Sequence, residues 1–205
     1  MDVSMQMKKA ALRTALGYIE KDPEDNLLRL MDWVDKLAGD GPDSFPAQRA
    51  AFRNVLNEPG CGMHQLILNV LRDVDNSVIR TVFENFFLNA CLIGWPRQEQ
   101  YREKLGCSIP WAILMDPTSA CNLRCTGCWA AEYGNKLNLT YNELSGIIRQ
   151  GKELGTYMYI FSGGEPLVRK QDILRLCEEH SDCQFLAFTN ATLIDEAFAR
   201  EMLRV

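Results

Sequence analysis

The chain has no uninterrupted apolar stretch long enough to cross a membrane. The segment Phe86 to Trp95, FFLNACLIGW, is well short of the roughly 20 residues that a spanning helix needs. The amino terminus, MDVSMQMKKAALRTAL, lacks the apolar core and cleavage site of a secretory signal, so secretion is not supported. There is no run of basic residues and no interleaving of basic with aromatic residues, and the net charge is −5. Nucleic-acid binding through phosphate neutralisation therefore has no support. A second C-x2-C-type pair is also missing, which argues against the usual structural zinc arrangement. What remains is a composition of 47% hydrophobic and 24% charged residues in 205, ordinary for a soluble globular protein with one or two cores. Eight cysteines without a secretory signal suit a reducing cytoplasm.

Three of those cysteines carry most of the information. Cys121, Cys125 and Cys128, in the run CNLRCTGCW, are spaced C-x3-C-x2-C with no fourth cysteine close by. Protein-bound iron–sulfur clusters usually take one thiolate per iron. Three thiolates on a cubane leave one iron open to another ligand, an arrangement built for chemistry rather than electron storage alone. Among the intervening residues Asn122, Arg124, Thr126 and Gly127 are polar or small, so one compact loop can present all three sulfurs. Gly127 tolerates the backbone angles of a tight wrap. Upstream, Ala112 to Met115 reads as a short apolar strand entering a turn at Asp116-Pro117, so the cysteines follow a strand, where βα architectures carry active residues. The plainer alternative is zinc, with a fourth ligand from Cys107, Cys177 or His180. The scattered cysteines, Cys61, Cys91, Cys107, Cys177 and Cys183, read by default as small buried hydrophobes.

Two more motifs follow in order. Ser162 to Pro166, SGGEP, comes directly after the apolar run Tyr157 to Phe161, and Thr189-Asn190 comes after the strand-like Gln184 to Phe188. Taken together, CNLRCTGC, SGGEP and Thr189-Asn190 resemble the radical S-adenosylmethionine (radical SAM) enzymes over about Trp111 to Val205. The resemblance implies that Cys121, Cys125 and Cys128 hold a [4Fe-4S] cluster whose open iron is chelated by S-adenosylmethionine. It implies that Gly163, Gly164 and Glu165 receive the cofactor's amino group, that Pro166 stiffens the exit from that turn, and that Thr189 and Asn190 lie near the cofactor. A carboxylate is acceptor-only when ionised, which suits an ammonium donor. The implied partners are an external electron donor such as a flavodoxin or ferredoxin and an unidentified small-molecule or peptide substrate. One departure stands out. Many members have an aromatic residue before the last cysteine, where this chain has Gly127; the aromatic follows instead as Trp129, and a tryptophan there more often packs into the core.

Residues 1–108 read as helical, with candidate helices over Met5 to Ile19, Pro23 to about Gly39, Ala47 to Leu56, Met63 to Leu71 and Ser77 to Leu92. Gly94 to Pro110 reads as a connection with at most a short helix. Residues 109–205 then alternate strand and helix. Thr140 and Glu143 form a capping box for a helix ending at Gly155, and further helices are expected over Gln171 to Glu179 and Asp195 to Leu203. Alternating βα units mean a parallel sheet. The expected fold is thus α/β, a partial (β/α) barrel of the radical SAM type preceded by an all-α region. An eight-unit barrel takes about 250 residues, so a six-unit one needs roughly 190. Cys121 to Val205 has room for three units, so the expectation is a core truncated after the third. The expected function is reductive cleavage of S-adenosylmethionine to a 5′-deoxyadenosyl radical that abstracts hydrogen. The alternative is a truncated, inactive iron–sulfur or zinc-binding interaction module.

Overall fold

The computed structural model describes residues 10, 14–19, 22–38, 46–134 and 136–205. The chain divides into two compact units, Met1–Thr81 and Val82–Val205. The described part of the first unit is helical. Residues 14–19 are followed by α1 (Pro23–Ala38), α2 (Pro46–Leu56), α3 (Gly62–Asp73) and most of α4 (Asn76–Val82). The expected helix Met5 to Ile19 lies mostly outside the described residues, as does the expected stop at Gly39. Pro23 opens α1 with Glu24 and Asp25 in the first turn, where unsatisfied N–H groups favour negative charge. Leu16, Ile19, Leu27, Met31 and Leu56 are buried, as their helical spacing requires. Asp35 accepts a 2.6 Å hydrogen bond from Arg53 and pairs with Arg49. The Arg53 guanidinium above all holds its carboxyl below the usual range.

The second unit begins with π-helical geometry over Phe83–Gly94, which leads into α5 (Trp95–Leu105). A helix of 11 residues thus occupies much of the segment that the sequence pattern assigns to a connection, and it ends at Gly106. Leu88 and Ala90 of the π-helical stretch are buried, but Phe87 and Leu92 are exposed. Polar side chains complete the buried face. Asn85 donates to the Ser181 and Cys183 carbonyls at 3.0 and 2.8 Å, Asn89 to Asp182 at 2.9 Å, and Gln98 to Gly155 at 2.8 Å. These carbonyls lie in the turns that enter the second and third strands, where an unpaired buried oxygen would be costly.

The sheet has three parallel strands, β1 (Ala112–Met115), β2 (Met158–Phe161) and β3 (Gln184–Ala187), in that spatial order. Helices α6 (Tyr141–Leu154) and α7 (Lys170–Glu179) connect them, and α8 (Glu196–Arg204) follows β3. The capping box of α6 forms in full: the Glu143 N–H donates to Thr140 Oγ1 at 3.2 Å, and the Thr140 N–H to Glu143 Oε2 at 2.7 Å. Asp195 caps α8 through the Phe198 N–H at 2.7 Å. In-register alternation puts Ile113, Met115, Tyr159, Phe161, Phe185 and Ala187 on one sheet face. They pack into the core with Leu144, Ile148, Ile173, Leu176 and Phe198. The opposite face carries Leu114, Ile160 and Leu186 in one row, with Leu114 and Leu186 exposed. Among the described residues no helix is long and apolar enough to cross a membrane.

Candidate functional site

The carboxyl ends of the strands lead into loops that hold all the motif residues. The β1 loop is secured at its base. The Ser119 N–H donates to the Leu137 carbonyl at 2.8 Å, the Leu139 N–H to Pro117 at 3.1 Å, and buried Thr118 donates to Asn138 Oδ1 at 2.6 Å. Arg169 adds a clamp from the β2 side. Its Nη1 donates to the Pro117 and Leu139 carbonyls at 3.1 and 2.8 Å, while its Nε bonds Asp172 at 2.7 Å. The sequence reading missed Arg169. Its signal was only that a basic residue lies four positions past a buried acidic turn, and many surface arginines do the same.

The glycine-rich turn after β2 lies against that base. The Gly164 N–H donates to Thr118 O at 3.0 Å and the Glu165 N–H to Ala120 O at 2.8 Å. Gly163 has φ +101°, and a Cβ there would lie 2.6 Å from Thr118 O. At Gly164 a Cβ would lie 2.3 Å from Ala120 O. Backbone atoms cannot swing aside, so both positions demand glycine because the cysteine loop's own backbone passes over them. Among the described residues no donor meets the Gly163 or Gly164 carbonyl.

Glu165 is 1% exposed. Its Oε1 accepts from the Leu167 N–H at 2.9 Å and from the Thr189 hydroxyl at 2.7 Å, and its Oε2 accepts from the Asn190 N–H at 2.8 Å. A buried charge needs such partners. The carboxylate therefore joins the β2 loop to the β3 loop, and one acceptor position remains on Oε2. Pro166, fully buried, starts the short 3-10 turn Pro166–Arg169 that directs the chain into α7. Thr189 and Asn190 thus stand beside Glu165, with Thr189 facing it through its hydroxyl and Asn190 through its backbone.

The cysteines share one loop but are not gathered. Cys121 and Cys128 are half-buried, Cys125 is exposed, and all three are free thiols. Among the described residues no group of three or more His, Cys, Asp or Glu side chains stands at metal-binding spacing. The donor chemistry nonetheless fits an iron–sulfur cluster: three free thiols lie on one short loop whose preceding backbone, Thr118 to Ala120, passes over Gly163 and Gly164. Gly127 takes φ +74°, in the left-handed region that an aromatic residue resists. Trp129 is 60% exposed and meets Tyr133 edge-on at 5.8 Å, so it does not pack into the core. Among the described residues the other ligands considered for zinc form no such group with these cysteines. Cys177 belongs to the core, where burial pushes its thiol up to about 12. His180 is buried 3.0 Å from Ser145 Oγ, and Cys107 is exposed.

Residues 115–205 match the family model described as Radical SAM superfamily. That stretch of the chain is similar to a radical SAM domain. Members of that superfamily bind a [4Fe-4S] cluster and S-adenosylmethionine. Similar curated proteins include an uncharacterised one from Archaeoglobus fulgidus, 32% identical over 111 residues, 52% of this chain and 26% of that protein. An Fe-coproporphyrin III synthase from Methanosarcina barkeri is 31% identical over 99 residues, 45% of this chain and 24% of its own. A GTP 3',8-cyclase from Geobacter sulfurreducens is 36% identical over 94 residues, 42% of this chain and 29% of its own. The chain spans about a quarter of the length of these relatives. No solved structure matches significantly.

Proposed function

We propose that this chain carries the cluster-binding and cofactor-binding part of a radical SAM enzyme, in the opening portion of a (β/α) barrel. The observation that carries this reading is the joining of three strand-end loops at one place: a cysteine loop, a Gly-Gly-Glu turn beneath it and the Thr189-Asn190 turn beside it. Cys121, Cys125 and Cys128 hold the cluster. The Gly163 and Gly164 carbonyls and the remaining Oε2 position of Glu165 accept the amino group of S-adenosylmethionine. Pro166 fixes the turn, and Thr189 and Asn190 border the third side. When bound and reduced, the cluster would supply one-electron chemistry for reductive cleavage of the S-adenosylmethionine that these residues would hold. An external flavodoxin-like or ferredoxin-like donor provides the electron. All eight cysteines are free thiols, which suits a reducing compartment such as the cytoplasm. The two named relatives bear unlike activity names, so the part they share with this chain is the cofactor machinery and the substrate stays open.

Anaerobic reconstitution with iron and sulfide should give a reduced spectrum that changes on adding S-adenosylmethionine. Cys125→Ala should abolish that change, and a variant that still forms 5′-deoxyadenosine would overturn the assignment. The ungathered thiols favour one second reading, a catalytically silent iron–sulfur or zinc-binding interaction module. Zinc without iron and sulfide in anaerobically purified protein would support it.

A further inference from the structure

We infer that Asn122, Asn190 and Thr192 form a clasp that positions the cysteine loop, so that the β3 loop sets the cluster's geometry without touching it; this rests on the cluster assignment above. Asn190 Nδ2 donates to Asn122 Oδ1 at 2.9 Å, and Asn122 Nδ2 donates to Thr192 Oγ1 at 2.8 Å. The Thr192 hydroxyl and N–H close the ring by donating to Asn190 Oδ1 at 2.6 and 3.0 Å. The donor and acceptor roles interlock. Turning over the Asn190 amide would set its NH2 against both Thr192 donors.

Position gives the clasp its leverage. Asn122 directly follows Cys121 in the sequence. Both Asn122 bonds run from the cysteine loop to the β3 loop, and within the cysteine loop the Leu123 N–H also donates to Cys121 Sγ at 3.4 Å. The far end is firmly held, because the Asn190 N–H is bonded to the buried Glu165 carboxylate. Between the two threonines Ala191 adopts φ +63°, a left-handed conformation disfavoured for alanine, and this turn brings Thr192 back onto the Asn190 side chain. A hydrogen-bonded path therefore runs from the Gly-Gly-Glu-Pro turn through Asn190 to the residue beside the first cysteine. Groups that orient metal ligands in this way commonly govern metal retention and redox properties.

The test compares Thr192→Val, which removes the hydroxyl and keeps the shape, with Thr192→Ser, which keeps the hydroxyl, and with Asn122→Ala. In the reconstituted full chain, Thr192→Val and Asn122→Ala should speed iron loss to a chelator roughly tenfold and move the cluster's midpoint potential, while Thr192→Ser stays near wild type. In metal-free protein the same two variants should raise the iodoacetamide labelling rate of Cys121, read by peptide mass, with unchanged melting temperature. Equal iron-loss rates, potentials and Cys121 labelling across all three variants would overturn the clasp, as would Thr192→Ser behaving like Thr192→Val. If wild-type protein takes up no iron–sulfur cluster, the cluster assignment fails, and labelling of metal-free Cys121 alone decides the clasp.

Discussion

The Gly-Gly-Glu-Pro turn and the cysteine loop are neighbours held by opposite means. The turn is locked by close backbone packing at Gly163 and Gly164 and by a buried carboxylate with three donors. The loop is secured at its base and by the Asn122 bonds, and its sulfurs are apart. The difference teaches that the protein builds a stiff frame first and leaves the metal ligands free to close on their cluster. Metal binding then does part of the folding, as ligand sites that are not preformed require.

The frame should break hardest at Glu165. Glu165→Ala strands three donors, two of them backbone N–H groups, and should cost roughly 4 kcal/mol in a denaturant melt. Glu165→Gln keeps the shape with one acceptor oxygen and should cost about half as much. Gly164→Ala comes next. Its Cβ would meet Ala120 and Ser119 backbone atoms, so a loss of about 2–3 kcal/mol is expected. At Gly146 in α6 a Cβ would meet only Arg149 Nη2, at 3.9 Å, so Gly146→Ala should instead gain up to about 1 kcal/mol. Arg169→Ala removes the clamp on Pro117 and Leu139 and should cost about 2 kcal/mol. None of these effects should be matched at Cys125, where Cys125→Ala in metal-free protein should leave the melt unchanged.

The smallest effect is acid sensitivity of the frame. Burial lowers the pKa of His180, which sits with Ser145 between α6 and α7. The unfolded chain then binds the proton more readily than the folded one. Stability is present in full above the ordinary imidazole value of 6.5 and falls as pH drops below it. Hydrogen bonds from Tyr141 and Ser145 hold Glu179 below its usual value, so a second loss follows at lower pH, beneath about 4.5. Denaturant midpoints at pH 7.5 and 5.5 check this, and His180→Asn should flatten that interval.

Much of the frame was legible in sequence. The strand Ala112 to Met115, the Thr140–Glu143 capping box and the stop at Gly155 follow from local chemistry that neighbours do not override. The π-helical stretch was less legible. Its apolar residues suggest a core face, but Asn85, Asn89 and Gln98 reach turn carbonyls distant in sequence, which no periodicity announces. The change from helical to alternating pattern near residue 108 marks a change of local structure, whereas the compact units divide at Thr81 and Val82 because packing follows those long-range bonds. The cysteine motif announced its chemistry through residue type. The clasp did not, because Asn122 and Thr192 are common loop residues until the fold brings them together.

The most direct test is cysteine mapping before and after anaerobic reconstitution with iron and sulfide. In metal-free protein Cys125 should alkylate fastest, and buried Cys177 and Cys183, with thiols pushed up to about 12, should stay unlabelled. After reconstitution to about four irons per chain, Cys121, Cys125 and Cys128 should all become protected while exposed Cys107 stays reactive. Continued labelling of any of the three, or protection of Cys107 alongside them, would contradict a cluster held by three thiolates.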